Sequence, residues 1–148
     1  MSGFGVHIKV KNFKKSHDFY KALGFKKTFE YGPTLVVKEQ YRGAVFAWRD
    51  ATIEIADGHR AVKPEIFQET ILSSKVSLMI HIESISQFLK RCKKNDIELT
   101  VGPRHFYWGT IEVVVKDPDG LVLVFIAPYS GLEAKRVNAE DTYSVNTN

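Results

Sequence analysis

The side chains with chemistry to offer sit on short extended segments, not in one continuous motif. His7 and Lys9 alternate along Gly5-Val6-His7-Ile8-Lys9-Val10, and His81 lies near the end of Ser77-Leu78-Met79-Ile80-His81-Ile82. Strand alternation puts Gly5, His7 and Lys9 on one side, and Ser77, Met79 and His81 together on one side of the other segment. Glu54, in Thr52-Ile53-Glu54-Ile55, adds a carboxylate, while Phe46, Trp48, Tyr107 and Trp108 add flat rings. Such a set could stack a planar organic ligand and orient it through a few polar groups. The competing reading makes Phe46 and Trp48 core packing and the histidines surface residues.

Other reactive residues read as structural. Cys92 falls on the apolar stripe of a helical pattern and reads as a buried small hydrophobe. His17 beside Asp18 has no nucleophile placed with it. Asp117 and Asp119, in Asp117-Pro118-Asp119-Gly120, read as turn residues. No glycine-rich phosphate loop follows a suitable strand. Lys90, Arg91, Lys93 and Lys94 make a basic helix face that lacks interleaved aromatics, so a solvated face is expected and nucleic acid is not.

The elements that must position these residues repeat. Val6, Ile8 and Val10 recur as Leu78, Ile80 and Ile82, an offset of 72 residues. Each strand leads into a polar cap, Asn12 or Ser84, and Gln87 stands at the capping-box position of the second. Ile85, Phe88, Leu89 and Cys92 recur at helical spacing, as do Phe13, Tyr20 and Leu23. Gly24 is suited to the left-handed stop of the first helix, with Asn95 or Asp96 in the second. Strands are expected at 26–29, 34–39, 44–48 and 52–56, then at 98–101, 107–115 and 121–127. Asp57-Gly58 and Asp117 to Gly120 are the turns, and the connector 59–75 holds Pro64 and a short helix. The order is strand–helix–strands twice over, an α+β pattern of mixed sheets. The boundaries read as one domain over 1–128, made of modules at about 4–58 and 76–127, with a polar tail at 129–148. The tail is expected to hold a helix around 132–139 and to be mobile at its tip.

The composition, 148 residues at 44% hydrophobic and 26% charged, supports a folded core. Cys92, the single cysteine, excludes an intrachain disulfide and a multi-thiolate metal site. No apolar run approaches a membrane span and no secretory segment opens the chain, so a cytoplasmic protein with no membrane partner is expected. The net charge of +4 does not mark a nucleic-acid binder.

Two stretches, Val10 to Phe25 with its Phe19-Tyr20 and Leu23-Gly24-Phe25, and Trp108-Gly109 followed by Val115 to Gly120, resemble the vicinal-oxygen-chelate superfamily, the glyoxalase, bleomycin-resistance and extradiol-dioxygenase group. The resemblance covers residues 4–127 and implies paired βαβββ modules forming a U-shaped cleft, often in homodimers. Its metal-dependent members use four side-chain ligands. Their positions correspond here to Gly5, Glu54, Ser77 and Val124, of which only Glu54 is a usual donor. A shifted set of His7, Glu54 and His81 is the metal-binding alternative, although the repeat pairs His7 with Met79. The expectation is therefore a small-molecule-binding protein without metal or other cofactor, of the antibiotic-resistance type, with His7, Lys9, Phe46, Trp48, Glu54, His81, Tyr107 and Trp108 as the binding residues. The basic charge disfavours a bleomycin-like cationic drug. The alternatives are a divalent-metal lyase or isomerase resembling glyoxalase, and a non-catalytic interaction protein.

Overall fold

A computed structural model of the protein describes residues 3–142; the polar tip of the tail, expected to be mobile, lies outside the described residues. The chain divides into two compact units, residues 1–72 with 118–120, and residues 73–117 with 121–148.

The first unit runs β1 (Phe4–Lys9), α1 (Phe13–Leu23), β2 (Lys26–Tyr31), β3 (Gly43–Trp48) and β4 (Ala51–Ala56). Its sheet order is β1-β4-β3-β2, with β1 parallel to β4 and the other pairs antiparallel. Parallel pairing follows from the helical crossover, and antiparallel pairing from the shorter returns. The Asn12 side chain accepts the Lys15 N–H at 2.9 Å, which satisfies one of the orphan donors at the start of α1. Gly24 ends the helix at φ 103°, a conformation that costs glycine little. Phe13, Tyr20 and Leu23 then face the sheet, with Tyr20 6.1 Å from Phe46 and 5.7 Å from Phe25 between ring centroids. A 3-10 helix, Pro64–Gln68, occupies the connector and buries Phe67.

The turn Pro118–Gly120 belongs to this first compact unit. Asp119 is buried, and its carboxylate accepts the Lys11 N–H at 2.9 Å and the Ser16 hydroxyl at 3.3 Å. Its carbonyl accepts the Ile71 N–H at 2.8 Å. Gly120, at φ 96°, leaves room for Ile71, whose carbonyl oxygen would lie 2.3 Å from an added Cβ.

The second unit runs β5 (Ser77–His81), α2 (Ile85–Lys94), β6 (Val101–Phe106), β7 (Thr110–Lys116), β8 (Val122–Pro128), α3 (Gly131–Val137) and β9 (Glu140–Asp141). Its sheet order is β5-β8-β7-β6-β9, with β5 parallel to β8 and β9 parallel to β6. Ser84 caps α2 by accepting the Gln87 N–H. Phe88 stacks on Phe125 at 4.0 Å, and Ile85 and Cys92 share its buried face. Both units are βαβββ modules with open mixed sheets.

Three boundaries differ from expectation. The stretch 34–39 is not a strand: Leu35 and Val36 stand fully or nearly exposed, and the first of the three strands after α1 is β2, already complete at Tyr31. A β-rich composition forms no strand without a partner edge. The strand expected at 98–101 begins at Val101 and continues through Pro103 to Phe106, with a register irregularity between Val101 and Arg104. Proline is tolerated at such an interruption because the ladder needs no donor there. Residues 107–109 form the hairpin turn, with Gly109 at φ 90°. The tail also gains a strand: β9 continues the sheet beside Arg104 and His105. No helix among the described residues is long and apolar enough to cross a membrane.

Candidate functional site

In each unit one sheet face takes the helix and the other carries the polar candidates. In the first, the register sets His7 opposite Glu54, and Glu54 opposite Val45. Residues paired in register project to the same side, so His7, Glu54 and Val45 share a row on the face away from α1. Lys9 lies two residues along on that face, with Nζ 3.5 Å from the His7 carbonyl oxygen.

Tyr31 completes the group. Its hydroxyl donates to Glu54 Oε1 at 2.7 Å, leaving Oε2 without a hydrogen-bond partner among the described residues. The ring reaches Glu54 by crossing Gly43, where an added Cβ would come within 2.1 Å of it. Tyr41 meets Tyr31 edge-on at 6.2 Å and lies 6.4 Å from His59, which meets His7 at 5.6 Å. Gly58 allows Tyr41 its place, since a Cβ there would fall 2.6 Å from that of Tyr41.

The electrostatics favour a neutral His7 ring and a protonated Tyr31 hydroxyl. Burial holds the His7 imidazole below the ordinary histidine range, more strongly than Glu54 pulls it up. Its Nε2 atom is buried and has no hydrogen-bond partner among the described residues. Burial and the bond to Glu54 push the Tyr31 hydroxyl far above its usual range, so it remains a donor at any working pH. A buried nitrogen without a partner is costly.

In the second unit His81 pairs in register with Ile126, Ile126 with Glu112, and Glu112 with Arg104. His81 is thus two strands from Glu112, or about 10 Å at ordinary strand spacing. Glu112 Oε1 accepts from Thr110 Oγ1 at 2.7 Å and from Trp108 Nε1 at 3.2 Å. Trp108 stacks on Phe106 at 4.5 Å, and Tyr107 meets it edge-on at 5.1 Å. Both Tyr107 and Trp108 are exposed in the hairpin turn.

Of the expected binding residues, His7, Lys9 and Glu54 are gathered on one face of the first unit, and Tyr107 and Trp108 at one hairpin of the second. Phe46 and Trp48 need correction. Phe46 pairs with Ile53, not Glu54, so it projects to the helix side, where it is fully buried between Tyr20 and His17. Trp48 has the same parity and lies 4.9 Å from Phe25. Both belong to the packing under α1. The unforeseen residues are Tyr31, Tyr41 and His59 in the first unit and Glu112 in the second. Gly43 and Gly58 are the one local signal for the tyrosines. A third group, His105, stacks on Tyr129 at 3.7 Å and bonds Asp141 at 2.8 Å on the helix side of its sheet.

The superfamily that the sequence resembles includes metal-dependent members, and the residues present here do not fit their metal site. Among the described residues no three His, Cys, Asp or Glu side chains gather in a metal-holding group. Glycine at position 5 brings no donor, and a side chain there would require the Thr52 hydroxyl, 2.5 Å from an added Cβ, to turn aside. Ser77 and Val124 lie on neighbouring strands of the second unit and bring no strong donor there.

Known structures share this architecture. A manganese-bound fosfomycin resistance protein, FosX, from Listeria monocytogenes is 14% identical at a TM-score of 0.58, over 91% of this chain and 96% of that one. A glyoxalase/bleomycin resistance protein from a Streptomyces species is 18% identical at 0.58, over 84% and 98%. A bleomycin-binding protein in complex with bleomycin is 19% identical at 0.54, over 87% and 98%. At such identities the likeness is one of fold. No curated protein matches the sequence. The family model described as Glyoxalase/Bleomycin resistance protein/Dioxygenase superfamily matches residues 6–125, and the chain belongs to that superfamily.

Proposed function

We propose that this protein binds a planar organic molecule at the Tyr31–Glu54–His7 face without a metal ion, and acts by holding that molecule. The observation that carries the reading is the buried, unpartnered His7 Nε2 beside a carboxylate already oriented by Tyr31. A neutral ligand atom that donates or accepts one hydrogen bond would satisfy His7, and a second donor group would reach Glu54. Tyr41 and His59 supply ring surface next to them. The two relatives whose names refer to bleomycin give the reading a precedent of fold, not of ligand. Homodimerisation is part of the same proposal, since β1 and β2 are the two edge strands of the first sheet and carry unpaired backbone groups.

The test is equilibrium binding of a panel of planar heteroaromatic compounds, read by quenching of tryptophan and tyrosine fluorescence, with and without chelator. Binding that survives chelator and is weakened by Tyr31→Phe and Glu54→Gln supports the proposal. Stoichiometric divalent metal in protein purified without chelator, lost in His7→Ala and Glu54→Gln, would overturn it in favour of the metal-dependent lyase or isomerase.

A further inference from the structure

The basic face of α2 borders a concavity. Ser86, Leu89, Lys90 and Lys93 fall at helical spacing along one side of α2, and together with Arg136 and Val137 of α3 they line a concavity of about 680 Å³ within the second unit. That volume suits a small organic ligand. Three of the six lining residues are cations and none is an acid. Lys90, Lys93 and Arg136 form no ion pair with any described residue. The nearest carboxylate on α3, Glu133, lies one turn before Arg136 and attracts it, but its Oε1 is taken by the Ser84 hydroxyl at the start of α2. The concavity therefore keeps an excess of positive charge even with Glu133 counted. Like charges at this spacing repel, and the tail helix adds a third cation to the same lining.

We infer that this concavity is a binding site for a small organophosphate, separate from the Tyr31–Glu54–His7 face and independent of its function. The guanidinium of Arg136 offers a fork that matches phosphoryl oxygens, and Lys90 and Lys93 add two point charges, which together suit a dianion better than a monocarboxylate. Leu89 and Val137 offer apolar surface to the organic part. The lining has no aromatic ring on which bases could stack, which favours a small phosphate over single-stranded nucleic acid.

The test uses the full chain, with phenyl phosphate and inorganic phosphate as probes in isothermal titration at low and physiological salt. Phenyl phosphate is expected to bind more tightly than inorganic phosphate and to weaken as salt rises. The double variant Lys93→Gln with Arg136→Gln should weaken it by at least about tenfold, since each removes a charge-assisted contact. These residues are exposed, so thermal stability should hold, and Tyr31→Phe should leave phosphate binding unchanged. Absence of phenyl phosphate binding, indifference to the double variant, or binding of a single-stranded oligonucleotide that phenyl phosphate does not displace would each overturn the proposal. Failure here leaves the Tyr31–Glu54–His7 proposal standing, because that site is read by different variants and ligands.

Discussion

Replacing Asp119 by Ala removes the two oxygens that bind the Pro118–Gly120 turn to the beginning of α1. Asp119 is 2% exposed, and Ser16, one of its partners, is fully buried. The bond from the Lys11 N–H at 2.9 Å has good geometry, whereas that from Ser16 Oγ at 3.3 Å is long for two oxygens. Hydrogen bonds to a charged acceptor contribute about 1.5–3 kcal/mol, so about 2 for the first and about 1 for the second gives a loss of about 3 kcal/mol. Asp119 makes further polar contacts, which makes that figure a floor. The carbonyl bond to Ile71 is untouched. For a chain of this size the loss corresponds to a fall in Tm of about 6–12 °C. The assay is urea unfolding in a Trp108→Phe background, where Trp48 of β3 is the one remaining tryptophan. The midpoint should fall with little change in slope. Asp119→Asn keeps an oxygen for the Lys11 N–H and should recover about half. A loss below about 1 kcal/mol, or Asn no better than Ala, would refute the reasoning.

Acidification should destabilise the fold through His7. Its folded pKa lies below the unfolded value of 6.5, so the unfolded chain binds the extra proton as pH falls through about 6.5 and stability declines until the folded pKa is passed. His7→Gln should flatten the fall of urea midpoint between about pH 7 and 5, and an unchanged slope would count against His7 as its source. Gly43→Ala should drive Tyr31 off Glu54, because the new methyl would overlap the ring. Ligand binding should then drop as in Tyr31→Phe, and full affinity in both variants would remove Tyr31 from the site. Burial pushes the Cys92 thiol up to about 11, so it should react with a disulfide reagent at pH 8 only after urea is added. Prompt reaction in native buffer would contradict its place on the buried face of α2.

The architecture was legible wherever a local signal had one physical solution. Asn12 and Ser84 could cap helices that the apolar spacing already implied, and Gly24 could end one in the left-handed region. Asp117 and Asp119 read as turn residues, and their oxygens do accept backbone N–H groups, Asp117 from Leu121 and Asp119 from Lys11. The stretch 34–39 misled because its Leu, Val and Val have strand character, while strand formation depends on a neighbouring edge that composition does not reveal. The same holds for β9, whose two residues are a strand only because β6 lies alongside.

The site was legible within each strand but not between strands. Alternation correctly groups His7 with Lys9, yet nothing in β3 alone states whether Phe46 or Val45 faces Glu54. That choice is a matter of pairing register, and a shift of one residue exchanges the two faces of a strand. The observed register places Val45 opposite Glu54 and sends Phe46 into the core. Tyr31 is hidden in the sequence for a related reason: it acts on Glu54 from two strands away, through the gap that Gly43 leaves open. The residues that give this face its chemistry are thus a strand histidine, a strand carboxylate and a tyrosine brought in by a glycine. The pairing of the strands, more than any run of sequence, makes them one group.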